Sequence, residues 1–420
     1  MNNILAEVIT IGDEILYGQI TDTNTQWISA ELSTLGIKIV RKSSVGDRYQ
    51  EIENILTEAS QRAQLVIITG GLGPTNDDIT KKVIAEFVQQ ELKENPDVLN
   101  DVRLYFSSRG KELSDINKKQ ALIPAHAKAL RNHHGTAPGM WIEYNNTVFI
   151  SLPGVPYEMK GIMKDYGLTA IKEHFKTPFI VHQIIRTAGV GESILAEQIK
   201  EWEEKLPDFL SLAYLPSYGQ VKLRLTGTHE DQTLVQQEIK KQVDRLLPLI
   251  STKHFYALGD IPLEAHIGKL LVEQKESLSI AESCTGGYVQ HLITSIAGSS
   301  AYFKGGIVSY SNAIKTSELA VSERLLADKG AVSTEVAEAM ALGILKKFNT
   351  TYAVAVSGVA GPDGGSPEKP VGFVCMAFAS SKGAIFSKSF QFGKDRDTNI
   401  KASTYALLNL LRLGIEGKLS

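Results

Sequence analysis

The chain has 420 residues, 43% hydrophobic and 22% charged, enough for two to four domains with separate cores. Its formal net charge of −3 supplies no basic field for a long nucleic-acid surface. Two cysteines without C-x-x-C spacing exclude a disulfide framework and a cysteine zinc site. The amino terminus, MNNILAEVITIG, lacks the basic and long apolar segments of a signal peptide. No apolar run reaches the ~20 residues of a membrane span. A soluble, cytoplasmic protein is therefore expected.

Along residues 1–170, strand-like and helix-like patterns alternate, as in α/β layers. AEVITIG (6–12) predicts a buried strand. From Asn24 to Leu35 the apolar residues Trp27, Ile28 and Leu32 keep a helical spacing, which Gly36 ends. IKIVRKSSVGD reads as strand and loop, and a helix is expected around Ile52 to Ala59. QLVIITGG (64–71) is a second buried strand, followed by a helix over DDITKKVIAEFV (77–88). VFISLPGVPYEM (148–159) repeats the scheme, a strand leading into a glycine- and proline-rich turn.

Residues 177–256 change character: two strands (FIVHQIIRT and GQVKLRLTGT) alternate with two helices in a small α+β module. Between residues 171 and 255, eleven basic residues match eleven acidic ones, so the module has no electrostatic footprint for nucleic acid. From 262 to 420 the α/β pattern returns: helix EAHIGKLLVEQ, strand SLSIAES, helix GGYVQHLITSIAG and the segment GGIVSYSNAIK come first. Helix TEVAEAMALGILKKF, strand YAVAVSG, the loop VAGPDGGSPEKP, strands VGFVCMAFAS and FSKSFQF, and a closing helix complete it.

Two constellations carry chemistry. In TGGLGPTNDDIT (69–80), Gly70, Gly71 and Gly73 let the backbone turn sharply and approach a ligand. Thr75, Asn76 or Asp77 can cap the next helix, whose free N–H groups attract phosphate. Asp77 and Asp78 add hard oxygen ligands suited to a divalent cation. No Gly-Lys-Ser/Thr follows and GxGxxG fails, so this is neither a P-loop nor a dinucleotide fingerprint. GDEIL (12–16) and LPGVPYE (152–158) also leave strands with carboxylates, and three such loops form the expected ligand crevice of an open α/β sheet.

The second constellation is IAESCTGG (280–287). Gly286 and Gly287 fall at the first turn of a helix, where unpaired N–H groups can hold an oxyanion or a phosphate. A Cys284 or Ser283 nucleophile needs a base, and this half contains only His266 and His291, both placed as surface or packing residues. Lysine is the other base: Lys315, with Tyr310 nearby, works if its pocket is poorly solvated, whereas its spacing alone reads as a solvated helix start. SGVAGPDGGSPEKPVG (357–372) supplies a second glycine-rich wall. Arg396 is open to two readings, a fork for phosphate or a surface partner of Asp395 or Asp397.

These motifs resemble the CinA family. GDEIL…DTN, TGGLGPTNDDIT, Asn117-x-x-Gln120-Ala121-x-x-Pro124, GTAPG (135–139) and LPGVPYEM mark its amino-terminal half. AESCTGG, AGSSAYFKGGIVSYSNAIK (297–315), GAVS (330–333) and SGVAGPDGGSPEKPVG mark its carboxyl-terminal half. The resemblance implies two α/β three-layer domains joined by a small α+β KH-like module. The first resembles the molybdopterin-binding fold but implies a divalent-metal (Mg, Mn or Co) ADP-ribose pyrophosphatase. Asp13, Glu14, Asp77, Asp78 and Glu158 would serve metal and water activation, with Asp78 catalytic. Gly71, Gly73 and Thr75 would hold the pyrophosphate, and Asn24 would contact substrate. The last domain resembles nicotinamide mononucleotide (NMN) deamidase, which needs no cofactor. There Ser283 would be the nucleophile, Lys315 its base and Tyr310 a helper. Thr285, Gly286 and Gly287 would form the oxyanion or substrate turn, Gly361, Pro362 and Gly364 a substrate wall, and Arg396 a phosphate contact.

Between them, the KH-like module offers GVGE (189–192) where a nucleic-acid-binding KH domain needs GxxG, which favours a spacer or dimerisation role. A homodimer is expected, with NMN and ADP-ribose as small-molecule partners and neither membrane nor nucleic acid. Two other readings stay open: a competence- or DNA-damage-linked interaction protein with inactive sites, and a molybdopterin-binding protein.

Overall fold

The computed structural model describes residues 4–75 and 78–419. The chain divides into two compact units, one of residues 1–181 with 227–236, the other of 182–226 with 237–420. Among the described residues, seventeen strands form four sheets.

The amino-terminal sheet has six strands: β1 (Leu5–Ile11), β2 (Lys38–Val45), β3 (Leu65–Thr69) and, after the small β4–β5 pair (Leu92–Glu94, Leu122–Pro124), β6 (Lys128–Leu130), β7 (Gly139–Tyr144) and β8 (Thr147–Leu152). Their order is β2-β1-β3-β8-β7-β6, parallel from β2 to β8 and antiparallel beyond. Helices cover both faces, so the central strands read as unbroken apolar runs. In β3, Val66 and Ile68 pack with helix α2 (Tyr49–Arg62) and α3 (Thr80–Phe87), while Leu65 and Ile67 pack with α1 (Thr23–Thr34). The strand order reverses at β1, placing the carboxyl ends of β1 and β3 at a topological switch point.

Four strands, not the expected two, build the middle module: β9 (Phe179–Ala188), β10 (Leu210–Ser217), β11 (Gln220–His229) and β12 (Phe255–Leu258), ordered β10-β11-β9-β12. Helices α4 (Glu192–Glu203) and α5 (Gln232–Leu246) accompany them. The two strands not foreseen are edge strands. Pro216 interrupts the pattern of one, and the other has only four residues.

The carboxyl-terminal sheet comprises β13 (Leu278–Glu282), β14 (Phe303–Val308), β15 (Tyr352–Gly358), β16 (Phe373–Ser380) and β17 (Ile385–Gln391), ordered β14-β13-β15-β16-β17. Helices α6 (Leu263–Gln274), α7 (Tyr288–Ser295), α8 (Asn312–Leu319), α9 (Thr334–Phe348) and α10 (Arg396–Ile415) surround it. Large residues alternate with small ones along the strands. Val354, Val356, Met376 and Phe378 face α6, α7 and α10, whereas Ala353, Ala355, Ala377 and Ala379 let α9 approach closely on the other face. Here too the order reverses, between β13 and β15. Among the described residues, no helix is long and apolar enough to cross a membrane.

Candidate functional site

In the carboxyl-terminal domain, β13 ends at Glu282 and the chain turns through Ser283–Gly287 into α7. Gly286 and Gly287 take φ of +63° and +99°, a left-handed conformation that a side chain would strain. Glu282 is fully buried. Its Oε2 accepts from the Thr285 hydroxyl at 2.7 Å, the Gly287 N–H at 2.9 Å and the Val289 N–H at 3.2 Å, and its Oε1 accepts from the Gln290 N–H at 2.9 Å. The Gly286 N–H donates to the Ser283 carbonyl at 3.1 Å. The expectation that Gly286 and Gly287 direct free N–H groups at a ligand is therefore corrected. A buried carboxylate needs donors, and Glu282 takes them from the start of α7.

Ser283 is 8% exposed and Lys315 1% exposed. Lys315 Nζ lies 3.1 Å from Ser283 Oγ and donates to the Ser309 carbonyl at 2.6 Å. The Ser311 hydroxyl caps α8, accepting from the Ile314 N–H and fixing the turn that carries Lys315 inward. Burial lowers the Lys315 pKa from the ordinary 10.5, favouring the neutral amine. The solvated helix-start reading of this lysine is thereby overturned. Neither His266 nor His291 bonds to Ser283: His266 approaches Glu416 at 3.5 Å, and His291 stacks on Tyr288. Burial drives the Cys284 thiol up to about 12, which leaves it inert as a nucleophile near neutral pH.

Arg396 opens α10, and its guanidinium donates to the Gly361 carbonyl at 2.7 Å and to the Tyr310 hydroxyl at 3.3 Å. It pairs with neither Asp395, which caps the helix, nor Asp397, which bonds Lys401. Tyr310 follows Ser309, whose carbonyl accepts from Lys315 Nζ, so this corner adjoins the Ser283–Lys315 pair. Asn399 is buried and donates to the carbonyls of Ala360 and Gly393, tying together the two loops that meet at Arg396. Pro362 and Gly364 stand on the exposed outer part of the glycine-rich loop. Glu282 and Asn399 were missed in the sequence, although an acid inside a buried apolar strand was a visible signal for Glu282.

In the amino-terminal domain a cavity of about 560 Å³ opens where β1, β3 and β8 end. The backbone of Gly70, Gly71 and Gly154 lines it, with the carboxylates of Glu14, Asp47, Asp78 and Glu158. A Cβ on Gly70, at φ +108°, would stand 2.0 Å from the Ile11 carbonyl oxygen, so only glycine fits where β3 leaves the sheet beside β1. Asp47, in the loop after β2, was not foreseen. Its carboxyl pKa is raised by burial and by the neighbouring charges of Glu14, Asp13 and Asp78. Thr75 is engaged with Asp78, its N–H donating at 3.1 Å and its hydroxyl donating to the same oxygen.

Glu158 accepts from the buried Asn132 amide at 2.6 Å. The Asp13 N–H donates to Asp47 at 3.2 Å, while the Asp13 carboxylate sits against Gly46. Gly73 lines the cavity in contact with Asp78. Asn24 is buried and donates to the Gly154 carbonyl at 2.7 Å, holding a cavity loop in place. Asp77 lies outside the described residues. Among the described residues, no three His, Cys, Asp or Glu side chains converge to hold a metal ion.

Fold and sites define a class: two three-layer α/β domains with a KH-like module between, one bearing a serine–lysine pair and one a glycine-walled acidic cavity. Family models match in the same order. A probable molybdopterin binding domain covers residues 7–173, the damage-inducible protein CinA KH domain 182–256, and the CinA C-terminal domain 260–414. A CinA-like protein of Cytophaga hutchinsonii is 52% identical over 410 residues, 98% of both chains. Another, from Flavobacterium psychrophilum, is 45% identical over 407 residues, 97% of both. The chain belongs to the CinA family. A crystal structure of a competence/damage inducible protein from Agrobacterium tumefaciens is 36% identical, covering 38% of this chain and 99% of its own, with a TM-score of 0.36.

Proposed function

We propose that the carboxyl-terminal domain is an amidohydrolase that converts NMN to nicotinic acid mononucleotide and ammonia. The observation that carries this reading is the buried Lys315 amine 3.1 Å from Ser283 Oγ, with its pKa lowered by burial. Ser283 Oγ attacks the carboxamide carbon while the neutral amine of Lys315 takes the hydroxyl proton. The tetrahedral oxyanion falls to the turn after Ser283, where the Thr285 backbone N–H is the donor proposed to hold it. Lys315 then passes its proton to the departing nitrogen, which leaves as ammonia. Water, deprotonated by the same amine, cleaves the acyl-serine ester and frees the acid. Arg396 and Tyr310, joined at 3.3 Å, form the polar rim suited to the 5′-phosphate. The test is ammonia release from NMN by wild type, Ser283→Ala and Cys284→Ala. Activity lost only with Ser283→Ala is expected; a fully active Ser283→Ala with a dead Cys284→Ala overturns the assignment.

For the amino-terminal domain the reading is ADP-ribose cleavage to AMP and ribose 5-phosphate, supported by the glycine-walled cavity at the switch point. A divalent metal, when bound, would neutralise phosphoryl charge and acidify water. Within the chain, Asn132 orients Glu158 and Thr75 orients Asp78, each holding a carboxylate at the cavity. Metal-dependent AMP formation that survives Asp78→Asn at full rate removes that residue from the reaction. Failure of folded wild type to turn over either substrate favours an interaction protein, and tight molybdopterin binding without ADP-ribose cleavage favours the other alternative. A cytoplasmic homodimer completes the proposal; light scattering of the purified chain tests its mass.

A further inference from the structure

The KH-like module carries neither candidate site, yet it shares a core with the carboxyl-terminal domain. Ala188 of β9 and Tyr256 and Ala257 of β12 belong to the same buried cluster as Leu407 and Leu411 of α10. All the residues concerned fall within one compact unit. Polar contacts follow the same helix. Arg412 of α10 is 0% exposed, and a guanidinium without water must find protein partners for its donors. Inside the helix it donates to Asn409 Oδ1 at 2.8 and 3.1 Å and to Glu416 at 2.9 Å. Its other partner is the Lys253 carbonyl, just before β12. Beyond the helix end, Lys418 Nζ donates to the Thr252 carbonyl at 2.9 Å.

The GVGE loop after β9 meets α10 as well. A Cβ on Gly189, at φ +73°, would stand 2.6 Å from Asn409 Nδ2, so glycine lets the loop approach the helix. The Gly189 N–H donates to the Gly219 carbonyl at 2.9 Å, which ties in the tip of the β10–β11 hairpin. Tyr218 of that tip lies under Lys401 of α10, whose Nζ is 5.9 Å from the ring centre and pairs with Asp397 at 2.6 Å. The module therefore grips α10 at Lys401, Asn409 and Arg412, and the same helix opens at Arg396. We propose that the KH-like module is a positioning element of the carboxyl-terminal site, holding α10 so that Arg396 and its partner Tyr310 are set for a phosphate. The inference rests on the NMN reading for the identity of that ligand. A rigid helix passes a shift at one end to the other, so contacts at Asn409 and Arg412 reach Arg396 without touching substrate.

The test compares full-length wild type, Arg412→Met and Tyr218→Ala by two readouts. One is hydrogen–deuterium exchange over residues 398–402, the first hydrogen-bonded turn of α10. The other is ammonia release from NMN and from nicotinamide riboside, which carries the same amide without the phosphate. Tyr218 is 37% exposed at a hairpin tip, so its truncation leaves the fold intact if Arg412→Met does not. Exchange is expected to quicken about tenfold in Arg412→Met and about threefold in Tyr218→Ala, with the Ser283–Gly287 turn unchanged. KM for NMN should rise by about the same factors while kcat stays within about twofold and nicotinamide riboside turnover holds. A merely stabilising contact would lower both substrates alike. Exchange at 398–402 unchanged in every folded variant overturns the proposal. So does ammonia release from NMN whose preference over nicotinamide riboside is untouched, which leaves the NMN reading standing. Quickened exchange with no ammonia released by wild type sinks the NMN reading and keeps the module's hold on α10.

Discussion

The two α/β domains place their candidate sites by one rule and equip them in opposite ways. Each site opens at the carboxyl ends of parallel strands where strand order reverses, between β1 and β3 in one domain and between β13 and β15 in the other. At the amino-terminal site, Glu14, Asp47, Asp78 and Glu158 face an open cavity, where burial and then the charges of Glu14, Asp13 and Asp78 raise the pKa of Asp47. At the carboxyl-terminal site Lys315 is buried against a serine and a carbonyl and is driven toward neutrality. Strand topology thus fixes where each candidate site opens, and the solvation of a few side chains decides which chemistry it can support.

Ser283→Ala and Lys315→Met are the strongest tests of that contrast. Each is expected to lower kcat for NMN by about a thousandfold or more, with ADP-ribose cleavage unchanged in the same preparations. Lys315→Met should also raise stability by about 1 kcal/mol, because it removes an amine whose burial opposes its charge. A denaturant titration that finds it strongly destabilised would make Lys315 a structural residue. Next comes Glu282→Ala, which strips four hydrogen bonds from the nucleophile turn and α7. It should cost about 3 kcal/mol and lower the melting temperature as well as activity.

Proton linkage separates the two sites by sign. The folded-state pKa of Lys315 lies below 10.5. In the window between them the unfolded chain holds a proton that the folded chain lacks. Stability should therefore rise with pH across that window, and NMN hydrolysis should rise through its lower end as the amine becomes neutral. Asp47 is the mirror case, its folded pKa lying above 3.8. Its contribution penalises the fold above that raised value and fades as pH falls through it. Asp47→Asn should thus gain about 0.5 kcal/mol at neutral pH while weakening ADP-ribose cleavage. A chemical-denaturation series over pH with both variants checks the two slopes. The smallest effect is expected from Cys284→Ala: a loss of about 1 kcal/mol from the removed core sulfur and a change in NMN turnover within about threefold.

Much of this architecture was legible in residue patterns. Runs such as LVIIT and YAVAV are apolar on both faces, as parallel strands under two helical layers must be, and they fall at Leu65–Thr69 and Tyr352–Gly358. The glycine turns were readable for a similarly local reason, since positive φ at Gly70, Gly286 and Gly287 is a backbone property of the motif. The edge strands Leu210–Ser217 and Phe255–Leu258 were not, because pairing with β11 and β9 rather than local pattern makes them strands. Asp47 gave only a weak local signal, an ordinary polar residue in a loop until its neighbours crowd it.

The sequence by itself determined the family, the order of the three domains, and the motifs that leave the central strands, because these depend on near-neighbour identity and periodicity. Tertiary structure decided three things that span long separations. It buried Lys315 beside Ser283, 32 residues away. It joined Arg396 to Tyr310 across 86 residues. It also spent the N–H groups at the start of α7 on Glu282 instead of leaving them open. Desolvation and hydrogen-bond saturation depend on what packs around a group, and a chain's local pattern carries no measure of either.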